Sequence, residues 1–364
     1  MSVAQPLLIA AVVIGLACAS SVAVIAIARF RRARAGARSR ALLAPYRHAL
    51  IAMASGEDED GTAKAMLYAV PTPTWDRLRA SVVAFLPKVR GTPADDLGEL
   101  LRSHGEIERA TRMLTSRSAV RRARAAYLLG LVRDPDSVAL VLPLLGDSNA
   151  DVRLVAARAL GAIGEPSAAS DVLRALHTHH GQIGLPAWVA GEALLAMGVQ
   201  IAPALQVGLA SKDPAVRNVC AVVVGHGAFA SAAPQLRMLL ATDGEGDVRA
   251  SAAVALGRVG GADDATALAR HTDASETTVL RRTCATALGD LGQRESLDTL
   301  AGLLGDGDRR LAQLAADALV RIGPEGIARL EEVATGECPS ARAARGALDL
   351  AGLRGQLAVS AEGS

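Results

Sequence analysis

The only histidine cluster in the 364-residue chain is His177, His179 and His180, in the run LHTHHG. A zinc site needs further His, Cys or carboxylate ligands at short spacing, and none stands beside this run. Its place at the end of a helix suits imidazolium near the negative pole of the helix dipole instead. Cys18, Cys220, Cys284 and Cys338 are far apart, with no CxxC, so they form neither a zinc knuckle nor a disulfide framework. Glu57, Asp58, Glu59 and Asp60 lie between Gly56 and Gly61 and read as a solvated loop, not a cation site. GxxxxGK[ST], GxGxxG after a strand, HExxH and GxSxG are all absent. No catalytic residue, cofactor, metal or small-molecule substrate is assigned, and the chain is read as a non-enzyme.

Two features carry charge and apolarity in blocks. Residues 7–28 read LLIAAVVIGLACASSVAVIAIA without a charge, about the length a bilayer core requires of a helix. Arg29, Arg31, Arg32, Arg34, Arg38 and Arg40 follow, with no acid among them, and no Lys or Arg precedes the run. The positive-inside rule predicts a single span with the N-terminus outside and the remainder cytoplasmic. A cleaved signal peptide would carry a basic n-region, which is missing here. The collar is positioned to meet anionic lipid headgroups. The formal net charge of +2 is thus a collar of six arginines against a body that is mildly acidic, which gives no case for nucleic acid.

Beyond the collar the chain repeats. DVRLVAARALGAIG from Asp151, DVRASAAVALGRVG from Asp247 and LRRTCATALGDLG from Leu280 align directly. With RRARAAYLLGLV, PAWVAGEALLAMG, VRNVCAVVVGHG and LAQLAADALVRIG they define copies starting at 121, 152, 186, 216, 248, 280 and 311. A weaker copy lies near 340–352. Apolar residues at offsets 0, 4, 5 and 8 make each copy one face of a helix. A first helix precedes each second one, over 137–145, 167–176, 201–209, 232–240, 263–269, 296–304 and 325–333, with Pro135, Pro166, Pro214 and Pro324 as start signals.

The columns of this alignment have separate duties. Offsets 4 and 5 are Ala, Cys or Gly throughout, so neighbouring helices can approach closely, and Cys220 and Cys284 are small core fillers. Offset 8 is Leu, or Val224, and offset 9 is Gly130, Gly161, Gly225, Gly257 and Gly289, broken by Leu195 and Val320. Offset 1 holds Arg122, Arg153, Arg217, Arg249 and Arg281, with Asp147, Asp243, Asp306, Ser116, Ser211 and Ser275 standing six residues before members of that column. These arginines are expected to be buried donors in a ladder between repeats. A chain that is 51% hydrophobic but 2% aromatic is thereby explained: its core is Ala, Leu and Val.

The period near 31 and the pattern D-x5-R…AA-x2-LG-x-(I/V)G resemble HEAT repeats, most nearly the short HEAT-like repeats also found in phycobilisome lyases. The resemblance covers residues 116–352 and implies an all-α, right-handed solenoid whose second helices line the concave side. Residues 41–115 read as degenerate helical pairs that cap the array, with helices over 41–54, 74–86 (Thr74 as its N-cap), 94–102 and 106–114; 353–364 read as a flexible tail. The degenerate copy from Pro186 predicts a bend near Trp188.

Offsets 2, 6 and 10 share one face of each second helix and vary from copy to copy, so stacking does not need them. Tyr127, Arg158, Trp188, Glu192, Asn218, His226, Arg258, Arg282, Asp290 and Arg321 are the candidate protein-binding residues on that face. Aromatic and Arg side chains are the usual interface anchors. The expected function is a membrane-anchored scaffold or regulator that binds a protein partner, such as a membrane-bound enzyme. The Ala- and Arg-rich composition, with three Lys in the chain, points to a GC-rich bacterium and its plasma membrane. A lyase-type enzyme and a solenoid acting on lipid through the collar alone are the alternatives.

Overall fold

The computed structural model describes residues 29–30, 43–177 and 184–362, with 353–362 as backbone alone. These residues contain helices, turns and no strand. They fall into two compact units, residues 1–109 and 110–364.

In the first unit, α1 spans 43–55, followed by α2 (Thr62–Tyr68), α3 (Thr72–Phe85) and α4 (Thr92–Ser103), while α5 (Glu106–Met113) crosses the division. Leu50, Leu67, Leu78, Val82, Leu97 and Leu100 make the core. Trp75 is buried among them. Its indole N–H donates to Glu106 at 3.0 Å and its ring stacks on His104 at 3.8 Å. Arg79 and Arg109, each 3.8 Å from Glu106, compensate the buried carboxylate. Sequence periodicity missed α2, which is a single short amphipathic segment. The acidic loop before it is not merely solvated, because Asp58 accepts the backbone N–H groups of Ala63 and Lys64 in its first turn. Thr74 is not the cap of α3. That helix starts two residues earlier, behind Pro71, because Pro73 fits the first helical turn.

The second unit continues with α6 (Ala119–Val132) and then alternates short first helices with longer second ones: α7 (Val138–Val141) and α8 (Ala150–Ile163), α9 (Ala169–Arg174) and α10 (Ala187–Met197), α11 (Ala202–Leu209) and α12 (Pro214–His226), α13 (Ala233–Thr242) and α14 (Gly246–Val259), α15 (Ala262–Arg270) and α16 (Thr278–Leu291), α17 (Leu297–Leu303) and α18 (Arg309–Ile322), α19 (Pro324–Ala334) and α20 (Pro339–Glu362). The seven second helices expected from the alignment are all present. Each packs on the next, α6 on α8 and so on to α20, as a stack of helical repeats requires. The backbone of α20 stays helical to Glu362, where a tail was expected from 353.

The glycine column sets the spacing of this stack. A Cβ placed on Gly257 would lie 2.9 Å from the Cα of Ala287, and one on Gly225 2.9 Å from the Cα of Ala255. Gly130, Gly161 and Gly289 meet Ala159, Ala193 and Ala318 in the same way. Glycine at offset 9 thus faces alanine at offset 7 of the following helix, backbone against backbone.

The arginine ladder exists, but its partners differ from those the spacing proposed. Arg122 donates to both carboxylate oxygens of Asp147 at 2.7 Å, and Arg217 to those of Asp243 at 2.7 and 2.8 Å. Arg281 meets Asp306 at 2.5 Å. Each carboxylate lies one repeat ahead of its arginine, not six residues behind it. At the position six behind, Ser116 and Ser211 serve through their backbone carbonyls, which accept from Arg122 and Arg217 at 2.8 and 2.9 Å. Asp147, Asp243 and Asp306 also accept the N–H groups of Asn149, Glu245 and Asp308, so each bridge closes the turn before the next second helix. Arg217 and the backbone of Glu245 together hold the Asp243 carboxyl below the usual aspartate range. At Asp147 burial pushes upward, but Arg122 and the Asn149 backbone outweigh it.

Cys220 and Cys284 are buried in the small-residue column, and burial pushes both thiols up to about 12. Cys338 is exposed, and the Ser340 hydroxyl beside it lowers its pKa. The thiolate is the reactive form. Alkylation of the folded protein at neutral pH is therefore expected to label Cys338 and spare Cys220 and Cys284, with peptide mass mapping as the readout. Labelling of the buried pair at a comparable rate would contradict the packing described.

Among the described residues no single helix is long and apolar enough to cross a membrane. The apolar segment 7–28 and collar residues Arg31, Arg32, Arg34, Arg38 and Arg40 lie outside the described residues; Arg29 is helical and exposed.

Candidate functional site: the groove across the second helices

The variable face brings its residues together unevenly. Ion pairs occupy most of the charged members. Arg158 donates to Glu192 at 3.2 Å and lies over the Trp188 ring, 5.2 Å from its centroid. Arg282 grips both carboxylate oxygens of Asp308 at 2.8 Å and, with the backbone N–H of Arg310 that the same carboxylate caps at the start of α18, holds that carboxyl down at about 2. Arg321 pairs with Asp290. Arg282, Asp290 and Arg321 are thus tied into the stack itself. Tyr127 is half-exposed on α6.

Trp188, Asn218, His226 and Arg258 are placed differently. Trp188 is 63% exposed although it is the largest apolar side chain on the face. With Gly191, Leu195, Val222 and Val223 it lines a groove between α10 and α12 of about 470 Å³. Asn218 and His226 border the same groove, and the Asn218 Oδ1 is buried without a hydrogen-bond partner. A second, smaller groove of about 200 Å³ between α12 and α14 shares Val222 and His226 as its wall and continues to Val254 and Arg258. The two form one surface, mostly apolar, with a few polar groups at its margins, as ligand sites usually are.

The opening has a cause in the glycine column. Between α10 and α12 the regular Gly–Ala contact is replaced at both ends, by Leu195 at offset 9 and Val223 at offset 7. Two branched side chains cannot occupy a gap shaped for a glycine and an alanine, so α10 and α12 meet less closely than the neighbouring pairs do. The column's other break, Val320, lies on α18, and the groove between α18 and α20 encloses about 410 Å³, with Arg309, Arg342 and Asp317 among its lining. At the degenerate copy that carries Trp188 the structure places a gap between helices. The breaks were visible in the sequence. Their pairing with offset 7 of the next helix was not.

His177, the described member of the histidine cluster, has its Nδ1 2.6 Å from Asp213, the residue that caps α12. His179 and His180 lie outside the described residues. Among the described residues no three His, Cys or carboxylate side chains cluster as a metal site.

The profile of HEAT repeats matches residues 107–183, 201–282 and 273–349, well over half of the chain. The chain belongs to the HEAT repeat family. Among solved structures it is similar to human deoxyhypusine hydroxylase, at 21% identity over 76% of this chain and 95% of that one, with a TM-score of 0.28. It is similar to Kap121p at 14% identity over 82% of this chain and 41% of that one, TM-score 0.47. It is also similar to the CpcE–CpcF phycocyanin lyase complex of a Nostoc species, at 19% identity over 67% of this chain and 94% of that one, TM-score 0.30. No curated protein matches it.

Proposed function

We propose that this HEAT-repeat chain is a membrane-anchored scaffold or regulator that holds a protein partner on the second-helix face of its array. The observation that carries the reading is the open apolar groove over α10, α12 and α14. Trp188 and Val222 are left exposed there, on the wall of the groove. Exposed apolar surface of this kind is costly to leave in water and marks contact sites. Anchoring is supported by the uncharged segment 7–28 and the six collar arginines, which together favour a cytoplasmic array on a bacterial plasma membrane and contacts with anionic headgroups. A client held there would be one that also works at the membrane face, such as a membrane-bound enzyme.

Chemical crosslinking in native membranes, followed by mass spectrometry, tests the scaffold. A specific protein linked to the array is the expected result, and recovery of no specific protein would overturn it. A topology reporter joined after Ser364 is expected to be active on the cytoplasmic side. Activity on the outer side would reverse the orientation.

A further inference from the structure

We propose that the groove over α10, α12 and α14 receives an amphipathic helix of the partner, with an apolar residue in the Leu195–Val223 notch and an acidic residue on Arg258. This rests on the scaffold reading and adds the chemistry of the segment that docks.

Three observations define that segment. The notch is walled by Trp188, Leu195, Val222 and Val223, so the group entering it is apolar. The charges at its margin are unequal. Glu192 is satisfied by Arg158, whereas Arg258 is exposed and has no counter-ion among the described residues. The His226 ring adds no negative charge, its Nδ1 lying 2.9 Å from the Val222 carbonyl. The surface thus presents a cation beside an apolar floor, and its complement carries a carboxylate.

Spacing selects a helix. Stacked helices lie about 8–10 Å apart, which is the step from the α10–α12 groove to the α12–α14 groove. Seven residues of α-helix rise about 10.5 Å and return to the same face, so positions i and i+7 reach both grooves with a modest tilt. Same-face residues of an extended strand repeat at about 6.6 or 13 Å and match neither. The docked helix therefore presents apolar residues at i and i+7, with its acid on the flank facing the C-terminal end of α14.

The test uses the full chain in native membranes with a photoreactive residue, Val222→benzoylphenylalanine, on the wall shared by the two grooves. A second chain carries the same residue at Leu140, which is exposed on α7. Adducts at position 222 are expected to map to a protein segment with the i, i+7 apolar pattern and an acid on its flank. Arg258→Glu should lower their yield by at least about tenfold, the order set by a close charge pair. Reversing the mapped acid to Lys should restore it. Leu195→Gly with Val223→Ala, which rebuilds the regular Gly–Ala contact, should also lower the yield while leaving the helical circular dichroism intact. Adducts with lipid, with a second copy of this chain or with a segment lacking the pattern would overturn the proposal, as would a yield indifferent to Arg258→Glu. Protein adducts from position 140 alone would refute this docking mode and the choice of the second-helix face, and leave only the scaffold role standing. No protein adduct from either position would count against both.

Discussion

Gly257→Ala is expected to destabilise the array, although intrinsic helix propensity alone predicts the opposite. Alanine is favoured over glycine by about 1 kcal/mol inside a helix. At position 257, however, the added methyl would sit 2.9 Å from both the Cα and the carbonyl oxygen of Ala287. Those atoms are backbone and cannot rotate aside, so α14 and α16 must separate. Overpacking of this kind costs roughly 1–3 kcal/mol, enough to reverse the sign, and Gly257→Leu should cost more. The loss falls on one interface of a linear stack, so denaturant unfolding of the leucine variant should broaden or split into two transitions as the array uncouples. Gly346→Ala is the internal contrast, because that glycine is also helical but has no heavy atom within 4 Å of the added Cβ. It should gain up to about 1 kcal/mol. Equal gains at both positions, measured by denaturant midpoint, would refute the close helix contact.

Asp243→Ala should be the most damaging single removal of charge. The Asp243 side chain is only 3% exposed, and Arg217 is 15% exposed, so the variant strands a guanidinium in a site built around its counter-ion. Breaking a buried charge pair costs about 3 kcal/mol or more, whereas removing one partner of an exposed pair costs about 1 kcal/mol or less. Glu192→Ala, which breaks the exposed pair with Arg158, should therefore leave the unfolding midpoint nearly unchanged. The same bridges set the acid limit of the fold. Asp147, Asp243, Asp306 and Asp308 are each more acidic in the folded chain than in the unfolded one. The unfolded chain therefore takes up protons first as pH falls. The contribution is complete above the ordinary aspartate value of 3.8 and is lost progressively toward about 2, where Asp308 titrates. A stability profile flat through that window would contradict the bridges.

Much of the architecture is legible in the residues themselves. Period, helix pairs and the small-residue columns depend on side-chain size at fixed offsets, and offsets are written along the chain. That suffices for the second helices of all seven copies and for the burial of Cys220 and Cys284. The first unit was less legible, because α2 is a single short segment without repeat support and the start of α3 is decided by Pro73 and not by Thr74.

The candidate site divides in the same way. Trp188, Asn218, His226 and Arg258 lie on the variable face that the alignment isolated, and all four border the grooves. Arg282, Asp290 and Arg321 share that face but are held in ion pairs between helices.

From the sequence alone come the repeat, its helices, the columns that must be small and the places where the glycine column fails. The tertiary structure decided which groups meet across the stack: Arg217 with Asp243, Gly257 with Ala287, and Leu195 beside Val223. The reason is geometric. A residue's own helix fixes the face it occupies, but its partner lies in the next repeat and is selected by the offset at which one helix rests on another. That offset is set by the packing of all the small columns together, and where Leu195 and Val223 interrupt it, a groove remains.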